Sequence, residues 1–248
     1  MLVLASCSKS ISHRYFKENE VGGEQGVLVE LGKDYYAQED GRIIIQEDHN
    51  IGTSAPNSFN VDATFEYEPN TYDLRSYGDL AIGDKVLSPY AGNGYSQVFE
   101  YDNHLFGDTV NVSLKLSNGL PYFDTDIYLP KTTTSSVTGP LVDDLNITWA
   151  ADPGANSYAH VSLYYTHGFP KNIQFTEPEV ENFLLVPNTG SYAMSLDLLD
   201  GIPVGALVLL EITQFSYKIV TVTSPVDNLP KKYKVMARST VSNFFERQ

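Results

Sequence analysis

The chain is predicted to be all-β, built as two β-sandwich domains. Three observations carry this. Apolar residues recur at every second position in segment after segment, no stretch keeps an apolar face through three helical turns, and Gly, Pro and Asn punctuate the segments at close intervals. With 248 residues, 42% of them hydrophobic, there is apolar surface for one large or two small cores. Acidic residues outnumber basic ones 31 to 16, leaving a net charge of -15. That charge repels nucleic-acid phosphates and anionic head groups, so no nucleic-acid partner is expected. The acids are scattered rather than clustered, which reads as solubility and not as cation storage.

The one cysteine, Cys7, lies in the first ten residues, so neither an intrachain disulfide nor a cysteine-based metal cluster can form. Leu4-Ala5-Ser6-Cys7 resembles the lipobox of bacterial lipoproteins, in which small residues admit the signal peptidase and the cysteine sulfur receives a diacylglycerol. The resemblance implies lipidation at Cys7, with palmitate-like acyl chains, and makes residues 1–7 the remnant of a signal peptide. It also implies an outer-membrane lipoprotein of a diderm bacterium, surface-exposed or periplasmic. An export signal needs a basic start and an apolar run of roughly 7–15 residues. Met1 to Leu4 do not supply them, so the expectation is a translation start placed too late. No run approaches the ~20 apolar residues of a spanning helix, and membrane contact is expected through the lipid anchor alone. Residues 8–26 are polar, aperiodic and end in GGEQG; they read as a flexible tether reaching roughly 25 Å.

Residues 27–130 form the expected N-terminal sandwich. Val27, Val29 and Leu31 alternate, and Ile43-Ile44-Ile45 is a short β-branched run. Phe59, Val61, Ala63, Phe65 and Tyr67 point one way against Asn60, Asp62, Thr64 and Glu66; Val110, Val112, Leu114 and Leu116 do so against Asn111, Ser113 and Lys115. Turn signals at Glu68-Pro69-Asn70 and Asn118-Gly119 separate them. Residues 131–140, KTTTSSVTGP, have little to bury and read as the linker.

Residues 141–248 form the expected C-terminal sandwich, organised around NITWAADPGANSYAHVSLYY at 146–165, which holds the one tryptophan. Leu145, Ile147 and Trp149 alternate with Asn146 and Thr148; Asp152-Pro153-Gly154 breaks the strand; Ala159, Val161, Leu163 and Tyr165 then form the more apolar face of a second one. The pair reads as a hairpin. Residues 167–187 look irregular, Tyr192 to Leu198 alternate again, and residues 205–215 and 233–241 are two further apolar strands. Lys231, Lys232 and Lys234 beside the last strand read as guards of a sheet edge.

This half resembles fibronectin type III and related immunoglobulin-like domains. The match lies in Leu145-Asn146-Ile147-Thr148-Trp149, in residues 158–165, and in Thr189-Gly190-Ser191-Tyr192 leading to Ile202-Pro203-Val204-Gly205. Where that family places a corner tyrosine the chain has Leu207, so the corner hydrogen bond is expected to be missing. Lipobox, tether, all-β domain and immunoglobulin-like domain together resemble the uncharacterised surface lipoproteins of diderm bacteria.

Motifs for chemistry are absent. There is no GxSxG, HExxH, GxxxxGK or GxGxxG. His160 and His167 are close enough in sequence to meet across a turn, but a polar-face and a loop histidine are the commoner explanation; no metal and no cofactor is expected. Asp124 and Asp126 share one face of a strand, a geometry open to a glycosidase, to calcium or to plain solvation. The richer stretch is 70–101, where Tyr72, Tyr77, Tyr90 and Tyr95 stand among Asn93, other polar side chains and glycines. Flat aromatics stack on sugar rings while amides and carboxylates bond hydroxyls, and loops on a rigid sandwich display such groups. The expectation is a non-catalytic, glycan-binding module using Tyr72, Tyr77, Tyr90, Asn93 and Tyr95. The alternatives are a structural or adhesive component that meets a surface protein through a sheet edge, and a glycoside hydrolase using Asp124 and Asp126.

Overall fold

The computed structural model describes residues 12–14, 40–49, 56–65, 77–89, 94–100, 104–131, 134–138, 144–224 and 228–248. Cys7, the alternation at Val27 to Leu31, Tyr72, Tyr90 and Asn93 lie outside them. The strands are β1 (Ser12–Arg14), β2 (Gly41–His49), β3 (Pro56–Phe65), β4 (Tyr77–Ile82), β5 (Lys85–Leu87), β6 (Gly94–Glu100), β7 (Thr109–Leu116), β8 (Pro121–Tyr128), β9 (Ser135–Thr138), β10 (Asp144–Trp149), β11 (Tyr158–Tyr165), β12 (Val180–Pro187), β13 (Ser191–Ser195), β14 (Leu207–Thr223) and β15 (Pro230–Glu246). Among the described residues the helical content is two 3-10 turns, Pro170–Asn172 and Leu196–Leu199. The chain is all-β, as its alternation predicts.

An eight-stranded sheet runs β1-β12-β11-β14-β15-β2-β3-β6, and two smaller sheets, β13-β10-β9 and β5-β4-β7-β8, accompany it. Alternation decides what each strand buries. Val110, Val112 and Leu114 of β7 point inward while Asn111 and Lys115 face water, and Phe123, Thr125 and Ile127 of β8 do the same against Asp124 and Asp126. The apolar inward side chains form a first core with Ile43, Ile45, Phe59, Val61 and Tyr95; Leu145, Ile147 and Trp149 of β10 form a second with Val161, Leu163, Val186, Met194 and Leu210.

The strand order β13-β10-β9 over β12-β11-β14-β15 is an immunoglobulin-like seven-stranded sandwich. Here β10 and β11 are not the hairpin expected from the sequence. They belong to opposite sheets, because both have an apolar face to bury and the second core lies between them; Asp152-Pro153-Gly154 carries the chain across the gap. The stretch at 167–187 contains strand β12. Its alternation is masked because Phe183 stacks on His160 at 5.4 Å and packs against Tyr164, so the face away from the core is also apolar. Two further expectations change. Residues 131–140 carry β9, paired with β10, whose Val137 packs on the second core; and residues 12–14 of the expected tether pair in parallel with β12.

The strands β14 and β15 form one hairpin of 17 residues a side, paired without interruption from Leu207↔Glu246 to Thr223↔Pro230. Its base belongs to the second core through Val208, Leu210, Ile212 and Val241. Its outer part belongs to the first, through Tyr233, Val235 and Ala237, with Val220 and Val222 packed against them. Residues 208, 210, 212, 220 and 222 have one parity and 233, 235, 237 and 241 another, so a single face of the hairpin closes both cores. On its flanks β11 pairs with β14 at Leu209–Gln214, and β2 pairs in parallel with β15 at Tyr233–Thr240.

Candidate functional site

Between the two cores, on the inward face of the hairpin, the apolar alternation gives way to polar side chains. Gln214 follows Val208, Leu210 and Ile212 at the next inward position and is fully buried. Its amide oxygen accepts from the Asp152 backbone N–H at 2.6 Å and from Asn188 Nδ2 at 3.0 Å, while its Nε2 donates to the Ala150 carbonyl at 2.9 Å. Asp152 continues the network into the first sandwich. Its Oδ1 accepts from the Tyr128 hydroxyl at 2.7 Å and its Oδ2 from the Lys131 backbone N–H at 2.8 Å. Asn188 in turn accepts from Trp149 Nε1 at 2.8 Å.

Tyr128 ends β8 of the first sandwich, and the hydroxyl end of its ring lies against Gly154. A Cβ at 154 would stand 2.2 Å from Cζ of that ring, so the glycine is required by close approach. Burial and then the Asp152 hydrogen bond raise the Tyr128 pKa, keeping the hydroxyl a donor. Next to this network Glu47, itself fully buried, accepts from Ser239 Oγ of the hairpin. The joint is therefore specified by hydrogen bonds, which fix one relative placement of the groups that make them.

Of the tyrosines expected to bind glycan, the two described, Tyr77 and Tyr95, are elsewhere. Tyr95 lies in β6 opposite Ala63, is 1% exposed, meets Phe65 edge-on and donates its hydroxyl to the Gly78 carbonyl at 2.6 Å. Burial, then Asp79, pushes its pKa up. Tyr77 opens β4, stacks on Phe65 at 4.9 Å, and its hydroxyl lies 3.2 Å from that of Tyr233, which is also 2.9 Å from the Tyr122 hydroxyl. Both are packing residues, a correction to the loop-displayed role: inward positions of strands take their rings into the first core, and no flat face of Tyr95 is left for a sugar. Replacing Tyr95 by Phe is expected to cost about 1 kcal/mol in urea unfolding, the value of one intramolecular hydrogen bond.

The acidic pair does occupy one exposed face of β8, but Asn111 Nδ2 bridges it, at 2.6 Å from Asp124 and 3.1 Å from Asp126. An amide donor already fills the position a cation or a sugar hydroxyl would take. His160 and His167 do not meet: His160 stacks on Phe183 and lies 3.3 Å from Ser162 Oγ, whereas His167 Nε2 contacts the Glu177 carbonyl at 2.9 Å. Among the described residues no group of three His, Cys, Asp or Glu side chains is placed to hold a metal.

His160 supplies a pH dependence. Burial first, and the Arg238 guanidinium second, lower its pKa from 6.5 to about 4. Between those values the unfolded chain is protonated and the folded one is not, so the stability is complete above pH 6.5 and is lost as the pH falls toward about 4, roughly 3 kcal/mol in all. Urea midpoints measured from neutral pH down to acid should fall in that window, and His160→Gln should flatten the fall.

Leu207 indeed lacks the corner hydrogen bond of a tyrosine. In its place Asn172, fully buried in the first 3-10 turn, accepts from the Leu207 N–H and donates to the Leu207 carbonyl, both at 2.7 Å. Neither Asn172 nor Gln214 stood out in the sequence; for Gln214 the usable signal was an amide at an inward position of an apolar run.

No family model and no curated protein matches the chain. Among solved structures it is similar to a two-domain fibronectin type III segment of chicken tenascin, with 10% identity over 81% of this chain and 98% of that one and a TM-score of 0.30. It is also similar to the first three fibronectin domains of chicken CNTN1, with 10% identity over 80% of this chain and 68% of that one and a TM-score of 0.28. The immunoglobulin-like fold of the C-terminal sandwich rests on its strand order.

Proposed function

We propose that the chain is a non-catalytic structural or adhesive scaffold, in which two sandwiches are held as one stiff body. The observation that carries this is the 17-residue hairpin running through both cores, backed by the Gln214–Asp152–Tyr128 hydrogen bonds at the joint. Separate binding modules joined by a linker share no strand; a sheet continuous across the joint transmits force and fixes spacing. The lipobox-like Leu4-Ala5-Ser6-Cys7 supports attachment to a cell envelope through Cys7. Cys7→Ser, made at the native locus, should then move the protein from the detergent phase to the aqueous phase.

A panel of soluble polysaccharides, run for native-gel retardation with reducing-end release assayed in the same tubes, tests the function. The scaffold reading expects neither. Retardation that Tyr72→Ala and Tyr90→Ala abolish would replace it with the glycan-binding reading, and release lost in Asp124→Asn would replace it with the hydrolase.

A further inference from the structure

We propose that β6 is a homotypic docking edge, along which a second copy of this chain pairs antiparallel about a two-fold axis at Gln97. The inference rests on the scaffold reading and names its partner. β6 ends the eight-stranded sheet, pairs on one side with β3 from Thr64↔Gly94 to Ser58↔Glu100 without a bulge, and has no described strand hydrogen-bonded on its other side. Ser96, Gln97 and Val98 are exposed in succession, on both faces of the sheet, with Val98 67% exposed. Edges are ordinarily blunted by shortness, inward charge, proline or a bulge. Most of the other described edges follow that rule: β1 and β5 have three residues each, β9 four, and β8 carries Pro121, its two aspartates and a register shift on β7, while β13, uncharged, is blunted only by its length of five residues. β6, seven residues with its one charge at the last position, does not.

The occupant follows from the sequence of the edge. About a two-fold axis at Gln97, residue 95 faces 99, 96 faces 98 and 94 faces 100. Tyr95 then lies across from Phe99 of the other copy, Ser96 from Val98, and the lone charge, Glu100, from Gly94, so no like charges oppose each other. The Phe59–Phe99 stack, 5.0 Å between centroids, would continue as an aromatic row across the junction. With each copy at -15, general repulsion keeps the association weak at low salt, and added salt tightens it.

The test uses the full chain with Cys7→Ser, which removes the one native thiol. Residues facing each other across a two-fold axis in an antiparallel pair have Cα atoms about 4.5–5.5 Å apart, within disulfide reach, whereas positions 98 and 98 of the two copies lie beyond about 7 Å. Gln97→Cys should therefore give a covalent dimer under mild oxidation and Val98→Cys should not. Sedimentation of the otherwise native chain should show a monomer–dimer equilibrium that Val98→Lys weakens about tenfold or more, with its unfolding midpoint unchanged because the side chain is exposed. A monomer at every concentration, equal cross-linking at 97 and 98, or a dimer indifferent to Val98→Lys would overturn the proposal. The two-sandwich scaffold is read out separately, by the unfolding experiments below, and stands or falls without it.

Discussion

Tyr233→Ala is expected to destabilise the protein by about 3–5 kcal/mol, the range for deleting a large buried aromatic side chain. The residue belongs in sequence to the second sandwich, yet its ring, 2% exposed, sits in the first core: stacked on Phe123 at 5.9 Å and edge-on to Phe65 and Tyr122 at 5.7 Å each. Gly41 is a glycine because a Cβ there would come within 2.8 Å of that ring, so the cavity left by alanine has a rigid backbone wall and collapses poorly. The Tyr77 and Tyr122 hydroxyls lose their shared partner as well. Tyr233→Phe isolates that last component and should cost about 1–2 kcal/mol. Urea unfolding of the two variants reads the difference directly.

Gln214→Leu is the second large effect, at about 3 kcal/mol. Leucine matches the apolar alternation of β14 and would be favourable by that criterion alone. It would leave the buried Asp152 N–H without its partner, at about 1–3 kcal/mol, and would remove one bond each from the Ala150 carbonyl and from the half-buried Asn188 amide, which keeps its bond to the Asn156 carbonyl. The change should also couple to Tyr128→Phe across the joint. Both act through Asp152, so a double-mutant cycle should give an interaction energy of about 0.5 kcal/mol or more, where sites in unconnected domains would add independently.

The fold was legible where a strand keeps one face wet. In β3, β7, β8 and β10 the alternation reports burial nearly residue by residue. It failed where both faces are covered, as in β12 with Phe183 against His160, and where a strand outruns the core that names it. The run at 205–215 reads as a strand of the second sandwich, and Ser216 to Thr223, the part that crosses to the first, mixes polar and β-branched residues without a clean period. Tyr77 and Tyr95 misled for a related reason. A tyrosine hydroxyl satisfied by a backbone carbonyl or another tyrosine looks, in sequence, like one offered to a ligand. Conversely Gln214, Asn172 and Asp152 read as ordinary polar residues, because their partners lie 62, 35 and 24 positions away.

The central claim is that the shared hairpin makes the two sandwiches one mechanical unit. Trp149 reports the second core and the Tyr77, Tyr122 and Tyr233 cluster the first, so one urea titration can follow both, by tryptophan fluorescence and by near-ultraviolet tyrosine circular dichroism. The account predicts coincident transitions for the parent chain and for Tyr233→Ala, both shifted together by the substitution. Two transitions, with Tyr233→Ala moving the tyrosine signal and leaving the Trp149 signal in place, would contradict it.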